Sequence, residues 1–304
     1  MLAARALAES ADLVTIVERD ALPEGPERRK GLSQAPHVHL LWSGGARAIE
    51  ELLPGLTARL AEAGAHRLAL TTDMVALSPQ GWFRRWDESH YMILGSRDLL
   101  DATVRAQVLA DDRIRLVEPT EVLGLESTRA EVTGVRVREG GGAERVLAAD
   151  LVVDATGRAS RAPQWLDTLG LPAPRQRRVD SGLAYASRFY RAPEGARSGF
   201  PVVNVQAAPR EGRPGRSGVL MPIEDGRWLV TLTGTRGGEP SADESDFERF
   251  ATEELRHPVI GELLAGAEPL SGVAFTRSTA NRRYYYERSR DWPDGFTVVG
   301  DALA

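Results

Sequence analysis

The sequence contains no cysteine, which excludes disulfides, thiolate metal sites and a cysteine nucleophile together. Lysine is nearly absent too: Lys30 stands alone beside 37 arginines, a skew of genome composition that carries no mechanism. Acidic residues outnumber basic ones, 43 against 38, for a net charge of −5. No basic field is therefore present to hold a nucleic-acid backbone. No apolar run approaches the roughly 18 residues that a membrane span requires. The opening residues carry Arg5 and Glu9 where a secretory signal would have an apolar core. These absences point to a cytoplasmic protein with no nucleic-acid partner and no transmembrane segment, and they leave the oligomeric state open. What is present is ordinary globular usage: 304 residues, 42% hydrophobic and 27% charged, long enough for two domains of roughly 150 residues each.

The opening Leu2-Ala3-Ala4-Arg5-Ala6-Leu7 is built from strong helix formers and runs into Leu13-Val14-Thr15-Ile16-Val17, so a helix followed by a strand is expected. The strand is nearly all apolar and β-branched, the pattern of a parallel strand covered on both faces. It empties into Glu18-Arg19-Asp20. A second helix is expected from Ser96, which can cap it, with Leu99, Leu100, Val104 and Val108 as its apolar stripe. After a strand at Ile114–Val117, three short alternating segments around 121–125, 132–138 and 145–148 predict an antiparallel meander. It ends in the apolar strand Leu151-Val152-Val153-Asp154 and the turn Ala155-Thr156-Gly157.

Prolines and the arginines Arg161, Arg175, Arg177 and Arg178 interrupt all periodicity around Pro163 to Asp180, and a domain boundary with a solvated linker is expected there. The segments 183–190, 202–206, 218–222 and 228–233 alternate like half-exposed antiparallel strands. Residues 245–255 read as an amphipathic helix with Phe247, Phe250 and Leu255 inward. The chain then returns to a buried strand, Phe296-Thr297-Val298-Val299, followed by Gly300-Asp301. The division that results is 1–170, 171–280 and 281–304, with the middle segment inserted into the first fold.

In a dinucleotide-binding fold, an acid about 20 residues beyond the glycine-rich turn closes the second strand and takes the ribose hydroxyls. Glu18 stands where that acid belongs, and counting back places the first strand and its glycines at or before Met1. The order of elements is the specific signal: strand with terminal acid, helix, strand, meander, strand with Ala-Thr-Gly, inserted sheet, strand with Gly-Asp. In this order the sequence resembles the flavoprotein monooxygenases of the para-hydroxybenzoate hydroxylase type, and more closely their bacterial FAD-dependent oxidoreductase relatives, over essentially the whole chain.

The resemblance implies an α/β protein: a Rossmann-like FAD-binding domain, lacking its first strand and glycine motif here, with an inserted antiparallel-sheet substrate domain. It also implies truncation at both ends and weak FAD binding by this chain. Glu18, with Arg19 beside it, is similar to the acid that binds the adenosine ribose. The stretch from Arg29 through Gln34 to His39 resembles a loop that runs near the flavin. Arg97, in Ser96-Arg97-Asp98-Leu99, matches an arginine that approaches the ribityl-pyrophosphate, and Asp301 after Gly300 resembles the acid on a ribityl hydroxyl. Thr156 and Gly157 stand in the family's third motif, where the usual Asp-Gly-x-x-Ser-x-x-Arg has lost its Asp and its final Arg. A carboxylate suits a sugar hydroxyl because a charged acceptor binds it more strongly than a neutral one.

Such an enzyme leaves the chemistry to FAD, with NAD(P)H as a transient co-substrate and a hydrophobic or aromatic small molecule as substrate. No catalytic acid or base is named. The same architecture serves flavin-dependent isoprenoid reductases and cofactor-free binding proteins, while halogenation is disfavoured by the position of Lys30. His37-x-His39 lacks the partners of a metal site, and none is expected. Tyr284-Tyr285-Tyr286, Trp82 and Trp86 are expected in packing or cleft lining.

Overall fold

The computed structural model describes residues 1–128, 131–208, 213–277 and 280–304. The chain divides into two compact units. The first comprises Met1–Arg5, Pro23–Asp111 and Ser181–Thr279, and the second Ala6–Leu22, Asp112–Asp180 and Ala280–Ala304. Residues 23–111 therefore group with the sheet segments that follow Asp180.

The second unit is assembled from short pairings. Strand Val14–Val17 runs parallel to Ile114–Val117, and Val152–Asp154 runs parallel to Phe296–Val298. The meander forms as expected from Thr120–Ser127, Val132–Glu139 and Glu144–Ala148, all antiparallel. Its core gathers Val132, Val137, Leu166, Phe296 and Ala302, with the Trp292 ring stacked on Phe296 at 5.4 Å. Gly295 is required by a close approach: with φ +71°, a Cβ there would lie 2.3 Å from the Val132 carbonyl oxygen.

Two expectations fail in this unit. The first strand is not covered on both faces, because Leu13 and Thr15 are exposed while Val14 is buried. Its ladder partner Ile114–Val117 shows the same burial pattern, one fully buried end residue and an exposed second residue in each strand. The stretch 163–180 is no linker. Helix Ala162–Thr168 buries Trp165 and Leu166, and strand Gln176–Asp180 pairs antiparallel with Ala280–Tyr284. Arg177 and Arg178 do lie on the exposed strand. Here tertiary pairing overrides the proline and arginine content that suggested a break.

The first unit is built on an eight-stranded sheet. Its main path runs through 268–269, 184–191, 227–234, 216–223, 202–205, 74–78 and 81–82, and strand 274–276 also pairs with 184–191. The sheet is antiparallel except where Val202–Val205 lies parallel to Met74–Ser78. Two of its strands, Met74–Ser78 and Gly81–Trp82, come from ahead of residues 171–280 and join the otherwise antiparallel sheet expected there.

Strand alternation gives the sheet two faces. Ala186, Leu220, Val230 and Leu232 pack under Phe247, Phe250, Leu255 and Ile260, which confirms the inward stripe expected of 245–255. The helix is interrupted, however: Glu244–Arg249 is α-helical and Phe250–Glu254 is a π-helical turn. Gly218 sits beneath this layer, where a Cβ would meet Leu255 at 2.8 Å and Ile260 at 2.9 Å. The opposite face packs Met221, Ile223 and Leu229 against Leu68, Met92 and Leu94.

Candidate functional site

In the second unit, two glycine turns lie side by side at the carboxyl ends of one parallel strand pair. Strand Val152–Asp154 and strand Phe296–Val298 are in register, and the Val299 amide donates to the Asp154 carbonyl at 3.0 Å. Both turns need the left-handed region, with φ +70° at Gly157 and +62° at Gly300. A Cβ built on Gly157 would lie 3.9 Å from that of Asp301, and one on Gly300 would meet nothing within 4 Å. Thr156, Gly300 and Asp301 are exposed.

The first turn is shaped by a buried carboxylate. Asp154, 3% exposed, accepts from the Thr156 amide at 2.9 Å and the Thr156 hydroxyl at 2.5 Å, and its other oxygen accepts from Ser160 at 2.6 Å. The family-type serine survives here as a turn-closing donor. Burial pushes the nearby Tyr286 phenol above its ordinary value, and the Asp154 carboxylate acts in the same direction. Glu18 ends its strand half-buried, its carboxylate accepting from the Asp20 amide at 3.1 Å, while Arg19 is exposed and reaches Asp20 at 3.5 Å.

In the first unit, helix Arg97–Leu109 is capped as expected, Ser96 Oγ accepting from the Leu99 amide. Arg97 follows the cap, and its Nε is buried with no hydrogen-bond partner among the described residues. It lines a cavity of about 150 Å³ with His39, Leu41, Ile93, Ser96 and Leu99. A cationic side chain and a helix N-terminus on one cavity favour an anionic group. Arg29 is committed elsewhere: its guanidinium meets Asp101 at 3.1 Å, and Asp101 also pairs with the buried Arg105, which donates to the Pro23 and Gly25 carbonyls. Arg29 therefore pins its loop to the helix. Gln34 is exposed, and its carbonyl accepts from the His37 amide at 3.0 Å.

A buried polar group that the sequence did not reveal lies on the sheet. His37 Nδ1 is 2.8 Å from Ser187 Oγ, which is 2.6 Å from Thr231 Oγ1, and the Val38 amide donates to Thr231 at 2.9 Å. Burial lowers the His37 pKa to about 4, and His39 and Arg28 push the same way. Burial also lowers that of His39, whose Nδ1 hydrogen-bonds the His37 carbonyl at 2.8 Å. Both imidazoles are neutral near pH 7. A second missed group is Glu224, buried, which accepts from the Ser96 amide at 2.9 Å and pairs with Arg227 at 2.7 Å. A serine and a threonine inside strand-like segments, and a glutamate in the turn between two of them, give no sequence signal of such pairings.

No family model matches the sequence. Over 316 aligned positions the chain is 31% identical to protein Rv3254 of Mycobacterium tuberculosis, across 99% of this chain and 65% of that relative's length. Among solved structures it resembles the flavin-dependent brominase Bmp2, with TM-score 0.69 and 13% identity over 99% of this chain and 69% of that one. It also resembles p-nitrophenol 4-monooxygenase PnpA from Pseudomonas putida, with TM-score 0.67 and 15% identity over 99% and 69%. The chain has the fold of the FAD-dependent monooxygenases.

Within that monooxygenase fold the predicted site residues divide between the two units. The second holds Glu18, Arg19, Thr156, Gly157, Gly300 and Asp301, and brings Gly157 and Asp301 together. The first holds Arg29, Gln34 and Arg97. Taken separately, the orphaned guanidinium nitrogen at a helix N-terminus in the first unit suits a phosphate, and the exposed carboxylate over open glycine backbone in the second suits a sugar hydroxyl. Among the described residues no three metal-ligating side chains cluster, and none of the helices is long and apolar enough to cross a membrane.

Proposed function

We propose that this chain is a FAD-dependent monooxygenase acting on a hydrophobic or aromatic small molecule, with NAD(P)H and oxygen as co-substrates. The observation that carries the reading is the pairing of the Gly157 and Gly300-Asp301 turns at the ends of adjacent parallel strands. That is where a doubly wound fold binds its ligand. FAD, when bound, would supply the two-electron redox chemistry that couples NAD(P)H oxidation to oxygen insertion into a substrate C–H bond with release of water.

The chain's own residues bind and orient. Asp301 accepts from a ribityl hydroxyl, and Glu18 from the adenosine ribose with Arg19 beside it. Arg97 offers Nε and positive charge to the phosphates, and Thr156, Gly157 and Gly300 keep the backbone open for close approach. Arg29 and Gln34 act through the loop that they shape. On the sheet face that carries them, the half-buried Tyr185 and Phe189 rings offer aromatic contacts to a substrate ring. Lys30 is exposed on a loop, which favours hydroxylation over halogenation. Relatives named for bromination and for p-nitrophenol oxidation share the fold and support flavin chemistry on an aromatic ring.

The test is simultaneous oxygen-electrode and NAD(P)H absorbance traces on FAD-loaded protein with a panel of phenolic and polycyclic aromatic compounds. Matched oxygen and NAD(P)H consumption, accelerated by one class of compound and yielding a hydroxylated product, is expected. Anaerobic reduction of a compound would assign a reductase instead.

A further inference from the structure

The 31–40 stretch has almost no regular secondary structure, yet Ala35 and His37 within it are buried. What holds an irregular loop down so firmly is the chain Val38 N–H, Thr231, Ser187, His37, with successive distances of 2.9, 2.6 and 2.8 Å. Ser187 and Thr231 face each other across adjacent strands, at 1% and 5% exposure, so no bulk water competes for them. The direction of the chain follows from donor counting. Thr231 Oγ1 accepts the Val38 proton and passes its own to Ser187, which donates to a bare His37 Nδ1. In the reverse direction Thr231 would accept twice, and its proton would have no acceptor among the described residues. His37 is thus the Nε2–H tautomer. His39 is the opposite one, because a carbonyl can only accept and its Nδ1 must carry the proton.

We propose that Ser187 and Thr231 are positioning residues: through His37 and the Val38 amide they latch the 31–40 loop to the substrate-side face of the sheet and hold the two in fixed register. The role in catalysis rests on the proposed function; the latch itself does not. Two hydroxyls and one imidazole, contributed by segments 44 and 150 residues apart, leave the loop no second arrangement that satisfies the same buried groups. Loosening them lets loop and sheet move independently, so that reducing equivalents are spent without oxidising substrate.

The test uses Thr231→Val, which keeps shape and removes the hydroxyl, Thr231→Ser, which restores it, and Ser187→Ala. Amide hydrogen exchange at Val38 is expected to quicken about 10-fold in Thr231→Val and to return in Thr231→Ser, the effect of one buried hydrogen bond. Nitrogen NMR of the wild type is expected to show His37 protonated at Nε2 alone, and Ser187→Ala to release a mixture of tautomers. In FAD-loaded protein, product formed per NAD(P)H consumed should fall in Thr231→Val and recover in Thr231→Ser.

Unchanged Val38 protection in Thr231→Val, or a wild-type His37 protonated at Nδ1, would overturn the latch. An unchanged coupling ratio in a variant whose Val38 amide has loosened would overturn the positioning role. Should the wild type bind no FAD, the proposed function fails, while exchange and tautomer still decide the latch.

Discussion

Two buried polar networks divide the molecule's chemistry, and they are built oppositely. In the second unit, Asp154 gathers its donors from residues two and six positions ahead, so one short peptide closes on itself and throws the Thr156-Gly157 turn outward. In the first unit, His37 reaches a serine 150 residues away and Val38 a threonine 193 residues away. A local network shapes a turn wherever the strand ends; a distant one can only form once the sheet has formed. The Thr156-Gly157 turn is therefore encoded in sequence, while the polar chain beneath the 31–40 loop is a product of the fold.

That comparison can be broken from either side. The largest effect is expected at Asp154. Removing it in Asp154→Ala takes the acceptor from three partly buried donors at once and should cost about 3 kcal/mol in urea unfolding, with Asp154→Asn recovering part because its amide oxygen still accepts. A loss below about 1 kcal/mol would mean that the turn does not depend on its carboxylate. The next largest is expected at Glu224 in the first unit, which joins the cap of helix Arg97–Leu109 to Arg227 across a long sequence separation. Glu224→Ala should cost about 2 kcal/mol, read as a lower urea midpoint with unchanged slope.

A smaller effect sharpens the contrast through pH. The folded His37 pKa lies below its ordinary value of 6.5, at about 4, so the unfolded chain binds the extra proton across that window. The stability tied to the neutral imidazole is fully present above about pH 6.5 and is lost as pH falls through about 4. Thermal melts of wild type and His37→Gln should differ in slope within that window and run parallel above it. Parallel curves throughout would place His37 in water, contrary to its 7% exposure.

The same division explains what the sequence disclosed. The meander, the Ser96 cap, the strand endings at Glu18 and Asp154 and the inward Phe247, Phe250 and Leu255 all follow from spacing within a few residues, and all are present. The linker reading of 163–180 failed because Gln176–Asp180 is a strand only by virtue of Ala280–Tyr284, a partner 100 residues on. Strands Met74–Ser78 and Gly81–Trp82 went unread for the same reason, since their place in the sheet depends on Val202–Val205. Of the aromatic residues, Tyr286 packs against Trp292, while Trp82 and Trp86 stand exposed. Arg29 stands in a stretch that resembles a flavin-side loop, yet its carboxylate partner lies 72 residues away, and only the fold shows that its charge is already engaged.

The most direct test of the account is a fluorescence titration of FAD against the wild-type chain, Arg97→Met and Asp301→Ala, with thermal melts alongside. Asp301 is exposed and Arg97 Nε has no hydrogen-bond partner among the described residues, so neither substitution should move the melt by more than a degree or two, a change of about 0.5 kcal/mol. Each should weaken saturable FAD binding by about 5- to 150-fold, the effect of removing one partner of a buried sugar hydroxyl or phosphate. Identical isotherms for the three proteins would contradict the assignment of these turns and this helix N-terminus to a flavin cofactor.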